Sequence, residues 1–294
     1  MGMYNEISSN KLKSVVIIAA FFLLIVGLSW MFAEITGFGA AGLVIATILA
    51  IVMSVGAYYY SDSIVLRISH ARPANHDEYR LLDNLIDGLS IAAGIPKPRI
   101  FVIEDTALNA FATGRDPKHG VICVTSGLLQ RLNRSELEGV LAHEMSHIKN
   151  YDIRFMMLVT VMVGITVLLS DFILRSFLWG NNRRDLGRAG FVLIILGIAL
   201  AILAPLIATL IRLAVSRKRE FLADATATQL TRYPDGLISA LKKLGSDTEK
   251  LEAANNATAH LYISNPFKGQ KGWFHGLFQT HPPIEARVAA LERM

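Results

Sequence analysis

The amino-acid sequence predicts a mainly α-helical protein with a small β-sheet, in which four membrane-embedded helices alternate with two stretches of a domain outside the bilayer. Three observations carry that prediction. The 294 residues are 52% hydrophobic with a mean hydropathy of +0.42, too apolar for an ordinary soluble domain. Four apolar runs, about Val15–Met31, Ala40–Tyr60, Phe155–Leu178 and Phe191–Val215, each approach the ~20 residues needed to cross a ~30 Å hydrocarbon core. The remainder is polar, helical in pattern, and holds three short strand-like runs. The expected organisation is a membrane hairpin over 1–60, a first domain segment over 61–152, a second hairpin over 153–215 and a second domain segment over 216–294.

The first apolar run follows Lys11 and Lys13, as a signal peptide would. It is longer than a normal signal core and a second span follows at once, so it reads as a retained anchor. Lys11 and Lys13 before span one, and Arg67 and Arg72 after span two, place both ends in the cytoplasm. The loop from Glu34 to Gly39 carries no Lys or Arg, while Trp30, Phe32 and Tyr58-Tyr59-Tyr60 suit the two interfaces.

In the first domain segment, Asn75-His76-Asp77 precedes an amphipathic helix with Leu81, Leu82, Leu85, Ile86 and Leu89, stopped by Gly94-Ile95-Pro96. Strands are expected at Arg99–Ile103, Asn109–Thr113 and Val121–Thr125, with turn chemistry from Arg115 to Gly120 joining the last two. Packing alone explains such a sheet. A second reading is that Asn109, Ala110, Phe111 and Ala112 pair with an extended peptide by strand addition. The lone cysteine, Cys123, permits no intrachain disulfide, suits a reducing compartment and reads as a small strand residue.

A helix follows, with Ser135 and Glu138 spaced as a capping box and Leu137, Val140 and Leu141 on an apolar side. On it lies Leu141-Ala142-His143-Glu144-Met145-Ser146-His147. His143 and His147 are four apart and share one face, where two imidazoles can hold one Zn²⁺ with Glu144 beside them as general base. The plain alternative is a charged helix surface. Spans three and four are less clean, because Arg183, Arg184 and Arg188 sit in their connecting loop and Asp171 and Arg175 lie within span three. A hairpin that crosses only in part stays open. Either way, two passes return the chain to the side where His147 left it, and Pro205 is expected to kink span four.

On that side the run Ser216 to Asp224 is helical in character, and Glu220 and Asp224 share a face. Two His plus one Glu, with a fourth position open to water, is the ligand set of a catalytic zinc. Asp224, one turn along, can accept a hydrogen bond from the outer nitrogen of a ligand histidine. The alternative is a solvated Glu among arginines. A helix with Leu237, Ile238, Leu241 and Leu244 follows. Residues Asn255 to Gln279 look irregular and aromatic, as a lid, a membrane-surface loop or plain packing; Pro282-Pro283 then opens a last helix, Ile284–Leu291.

Taken together, these residues resemble the HtpX-type membrane zinc metalloproteases, relatives of the CAAX prenyl proteases. The resemblance rests on Asn109 to Ala112, Val124 to Leu129, His143 to His147 with Asn150-Tyr151-Asp152, Arg219 to Asp224, and Thr280-His281-Pro282-Pro283. It implies a cytoplasmic gluzincin-like domain with one Zn²⁺ per chain on His143, His147 and Glu220, and Glu144 as general base. It further implies that His281 donates to the tetrahedral oxyanion, and it strengthens the substrate-strand reading of Asn109–Ala112. Arg287 either supports His281 or is an ordinary helix-surface arginine. The remaining histidines, at 70, 76, 119, 260 and 275, lack partners at ligand spacing.

The implied activity is zinc-dependent endoproteolysis of misfolded or damaged membrane proteins, in quality control or stress, at the cytoplasmic face of a prokaryotic inner membrane. Polypeptides and the bilayer are the expected partners. The net charge of +5 lacks the aromatic interleaving of a nucleic-acid surface and fits anionic lipid better. A transporter would carry ionisable groups at mid-span, whereas Glu34, Asp171, Arg175 and Arg212 lie toward span ends. A non-catalytic zinc scaffold has no use for Glu144. A prenyl-peptide protease is the nearest enzymatic alternative.

Overall fold

The computed structural model describes residues 39–157, 217–254, 258–267 and 282–294, with scattered helical positions between Ser8 and Val26. The chain enters along α1 (Gly39–Ile68), turns through His70 at φ +51°, and forms β1 (Arg72–Pro73). Helix α2 (Arg80–Ala93) ends on Gly94, whose φ of +68° lets the backbone N–H groups of Gly94 and Ile95 return to the Ile91 and Ser90 carbonyls. Next come β2 (Arg99–Ile103), β3 (Ala110–Thr113), a 3₁₀ turn (Pro117–His119) capped by the Asp116 carboxylate, and β4 (Val121–Thr125). Then follow α3 (Ser126–Arg131), α4 (Arg134–Lys149), helical residues 152–157, α5 (Arg217–Thr231), α6 (Pro234–Ser246), a 3₁₀ turn (Ala259–Leu261) and α7 (Ile284–Leu291). The protein is thus mainly helical with one four-stranded sheet.

The sheet order is β1-β2-β4-β3, with β2 and β4 parallel and both outer pairs antiparallel. Strand β4 is wholly buried, and its side chains alternate between two cores as the pleat requires. Ile122 and Val124 join Leu82, Ile86, Leu137, Val140, Leu141, Met145 and Leu241 between the sheet and helices α2, α4 and α6. Val121 and Cys123 face the other way, toward Val65 of α1, Phe155, Phe111 and Tyr262. Burial there pushes the Cys123 thiol pKa well above its usual range, consistent with a packing residue.

Helix α4 begins two residues before the sequence spacing suggests. Asn133, extended at φ −74° and ψ 173°, accepts from the Glu136 N–H at 3.0 Å, and Glu136 accepts from the Asn133 N–H at 2.8 Å. The Ser135 hydroxyl instead donates to the Asn133 side chain at 2.8 Å. Asparagine is as strong a cap as serine, so two candidate boxes overlapped and the earlier one won. Glu136 is then covered by α6, where Ser239 Oγ and Lys243 Nζ reach it at 2.6 and 2.7 Å. Glycines bring α4 and α6 into backbone contact. A Cβ on Gly139 would lie 2.7 Å from the Leu237 nitrogen, and one on Gly236 would lie 2.5 Å from the Ser135 oxygen. Only glycine fits at either position, which fixes α4 against α6.

Among the described residues no helix is long and apolar enough to cross a membrane, so the four predicted spans are not established by this fold. Span four and all but residues 155–157 of span three lie outside the described residues, as does most of span one. Span two falls within α1, whose backbone is helical throughout but whose side chains are described at only some positions.

Candidate active site

Two crossing helices bring the candidate ligands together. On α4 the His143 and His147 rings lie edge to face with centroids 4.8 Å apart, and their Nε2 atoms are 3.2 Å apart. Helix α5 supplies Glu220, with Oε2 at 3.6 Å from His143 Nε2 and Oε1 at 3.6 Å from His147 Nε2. One ligand atom from each residue falls within 4.8 Å of the others, and all three residues are buried. Ligands about 2.1 Å from one tetrahedral ion are separated by roughly 3.4 Å, which these spacings bracket. Two imidazoles and one carboxylate, with no thiolate, are the donors a catalytic zinc takes. The residues therefore fit the metal.

Each histidine is aimed by a carboxylate on its outer nitrogen. His143 Nδ1 lies 2.9 Å from Asp224 Oδ1, and Arg287 grips both Asp224 oxygens at 2.6 and 2.9 Å. His147 Nδ1 lies 3.1 Å from Asp152 Oδ2, and Arg219 Nη1 lies 3.5 Å from Asp152 Oδ1. Such bonds fix the tautomer and turn each Nε2 toward the common point. Arg287 does not lie on the helix surface: it is 0% exposed, the largest fully buried side chain among the described residues, and its Nη1 is 3.9 Å from Glu220 Oε2.

Asp152 and Arg219 adjoin the candidate ligands although spacing did not single them out. Five residues after His147, Asp152 would point away from it on a continuous helix. Instead α4 ends, Tyr151 takes φ +61°, and the chain folds back so that Asp152 lies beside the ring. The motif Asn150-Tyr151-Asp152 was a signal, but only the left-handed turn gives it a role.

The charges hold one another in place. Burial and the Arg287 cation press the His143 pKa down, yet hydrogen bonds to Asp224 and Glu220 outweigh them and raise it to about 9. Burial alone would raise Asp224, but Arg287 and His143 hold it at about 2. Arg287 itself is raised: burial opposes its charge, but Asp224, Glu220 and Glu144 more than compensate. In the metal-free protein the protonated His143 stabilises the fold fully below its usual 6.5, and that contribution is lost as pH rises through about 9. Metal must displace that proton. At neutral pH, loading is expected to release about one proton per ion, with affinity rising with pH up to about 9. Calorimetry in buffers of different ionisation enthalpy measures this, and no proton release would contradict it.

Glu144 follows His143 on α4 and is 2% exposed, and its charge reaches Arg287. Beside α4, β3 is the edge strand of the sheet. Asn109 and Ala110, however, are engaged by the chain's own residues. Asn109 Nδ2 donates to the Ser264 carbonyl at 3.1 Å, the Ile263 N–H donates to the Ala110 carbonyl at 2.9 Å, and Phe111 packs edge-on to Tyr262. Along a strand, alternate backbone groups face the same way, so Ala112 also faces the outer edge. His281 lies outside the described residues.

The chain is similar to known proteins along nearly its whole length. The family model for Peptidase family M48 matches residues 76–294. A "Protease HtpX homolog" of Thermoanaerobacter pseudethanolicus is 45% identical over 296 residues, covering 99% of this chain and 98% of the relative. Another, from Dictyoglomus thermophilum, is 46% identical over 291 residues, covering 99% and 94%. The crystal structure of S. mikatae Ste24p shares the fold, with a TM-score of 0.52 at 20% identity, covering 98% of this chain and 67% of that one. The chain belongs to peptidase family M48, as an HtpX-like metalloprotease acting on polypeptides.

Proposed function

We propose that the protein is a zinc endopeptidase of the prokaryotic inner membrane that cleaves misfolded or damaged membrane proteins at the cytoplasmic face. The observation that carries this reading is the convergence of His143, His147 and Glu220 on one point, with Glu144 beside them. His143, His147 and Glu220 would hold the metal. When bound there, zinc supplies a Lewis acid that polarises a carbonyl and lowers the pKa of a coordinated water toward 7. Glu144 takes a proton from the attacking water and delivers it to the leaving amine. Asp224 and Asp152 keep the two imidazoles in register. His281, on the strength of the family resemblance, donates to the oxyanion. The β3 edge from Ala112 onward receives the substrate backbone, because the Asn109 and Ala110 positions are already engaged.

Several features support membrane attachment. Residues 39–61 carry no charged side chain. Val44, Ile48, Ile51, Val52 and Val55 are all exposed on it, which water would penalise and lipid would not. The domain arrangement then follows the expected one: hairpins over 1–60 and 153–215, with the catalytic segments 61–152 and 216–294 joined through the metal site.

The test is cleavage by detergent-purified protein of an unfolded soluble protein, a destabilised membrane protein and a prenylated peptide, with chelator and with zinc restored. The proposal expects cleavage of the first two, lost with chelator and regained with zinc. Cleavage of the prenylated peptide alone would overturn it in favour of a prenyl-peptide protease.

A further inference from the structure

Most arginines packed into the described fold meet a carboxylate: Arg72 lies on Glu78 and Glu104, Arg99 on Asp62, Arg131 on Asp247, Arg219 on Asp152 and Arg287 on Asp224. Arg115 and Arg154 are held chiefly by aromatic rings instead, on two adjacent residues of α1. The Arg115 guanidinium sits 5.2 Å from the Tyr59 ring centroid, and the Arg154 guanidinium sits 5.5 Å from that of Tyr58. Those two rings are themselves edge to face at 5.3 Å, near the last turns of α1. The nearest carboxylate oxygen to Arg115 belongs to its neighbour Asp116, 3.9 Å from Nε, and the other Asp116 oxygen is bonded to His119 at 2.8 Å. The Arg154 Nε is buried with no hydrogen-bond partner among the described residues.

Tyrosine faces hold cations in position without neutralising them. Two guanidiniums so held retain their forks of donors for an anion, and phosphate geometry suits them. What adjoins the pair decides which phosphate. On the preceding turns α1 exposes Val55, Val52, Ile51 and Ile48, an apolar face against which acyl chains can lie. Tyr58, Tyr59 and the exposed Tyr60 mark the level at which aromatic rings sit among headgroups. We infer that Arg115 and Arg154, carried on Tyr59 and Tyr58, form a clamp for the headgroup phosphate of an anionic phospholipid. This rests on the membrane reading above and adds to it a site, a ligand class and two residues.

The clamp sits where it can influence the metal centre. Arg154 comes two residues after Asp152, which aims His147, and Arg115 comes two residues after Thr113, the end of the edge strand β3. A bound headgroup therefore braces both the exit of the metal helix and the far end of the substrate strand. Neither arginine touches the metal ligands in the structure, so removing its charge leaves the site's own bonds intact.

The experiment uses the full chain in detergent, offered phosphatidylglycerol or phosphatidylcholine, with bound lipid counted by native mass spectrometry and the unfolding midpoint recorded. The wild type is expected to prefer phosphatidylglycerol and be stabilised by it. Arg115→Gln and Arg154→Gln are each expected to lose about fivefold of that preference, and the double variant most of it. Arg154→Lys, which keeps the charge, should retain more of the preference than Arg154→Gln at equal helicity, which separates binding from misfolding. Equal retention of the two lipids by the wild type, or an undiminished preference in the double variant, overturns the clamp. Inorganic phosphate added instead should leave the midpoint unchanged; if it stabilises as well as the lipid, the site is for free phosphate and the lipid assignment falls. Recovery of the protein from the aqueous phase without detergent overturns the membrane reading, and the clamp with it, whereas stable incorporation without lipid preference overturns the clamp alone.

Discussion

Glu144→Gln is expected to keep its metal and lose its activity. Glutamine preserves the shape of the side chain beside His143 and leaves His143, His147 and Glu220 untouched, so metal content should equal that of wild type. It removes the only group in the proposal that takes the proton from water and returns it to the leaving amine. General acid–base catalysis contributes about a hundredfold to ten-thousandfold, so kcat/KM should fall about a thousandfold, ~4 kcal/mol of barrier. Metal analysis together with peptide cleavage measures both halves. A metal-replete variant that cuts at the wild-type rate would remove Glu144 from the chemistry.

Arg287→Met is expected to be among the most damaging substitutions away from the metal ligands. Arg287 is wholly buried and compensates Asp224 directly, at 2.6 and 2.9 Å, and Glu220 more loosely at 3.9 Å. Without it, two buried carboxylates lose the cation that compensates them. Breaking a buried pair on one side costs about 3–5 kcal/mol, which thermal unfolding in detergent should register. Lysine restores charge but not the two-pronged grip on Asp224, so Arg287→Lys should recover only part of the loss. Metal affinity should fall as well, because Asp224 is then free to swing from His143. A variant as stable as wild type would mean that Asp224 is held by something else.

How far the site was legible in the sequence depends on whether a contact repeats at helical spacing. His143 with His147, and Glu220 with Asp224, are four apart, so their shared faces follow from the helix itself. That α4 and α5 meet does not follow from spacing; the catalytic ligand set suggested it, and the structure places Glu220 3.6 Å from each ring. Asp152 was hidden because its position depends on one left-handed residue, Tyr151. Arg287 was named only as a support for His281 or a surface arginine; its grip on Asp224 was hidden because a charged side chain on an eight-residue helix ordinarily faces water, and only the carboxylates of a distant helix explain its burial.

The fold divides in the same way. Strands β2 and β4 carry the limits that their apolar runs predict, and α7 begins and ends as expected. The crossing that leaves β3 outside a parallel β2–β4 pair is invisible to a period-two pattern, which says nothing of neighbours. Asn109 left the strand because its side chain bonds the backbone of Ala110 and Ser264.

The whole account stands or falls on what surrounds the ion. X-ray absorption at the zinc edge of the loaded protein should report a single site of four light-atom ligands at about 2.0–2.1 Å, two of them imidazoles, with one imidazole lost in His147→Ala. Sulfur among the ligands, or a spectrum unchanged by that substitution and by Glu220→Ala, would mean that the metal sits elsewhere.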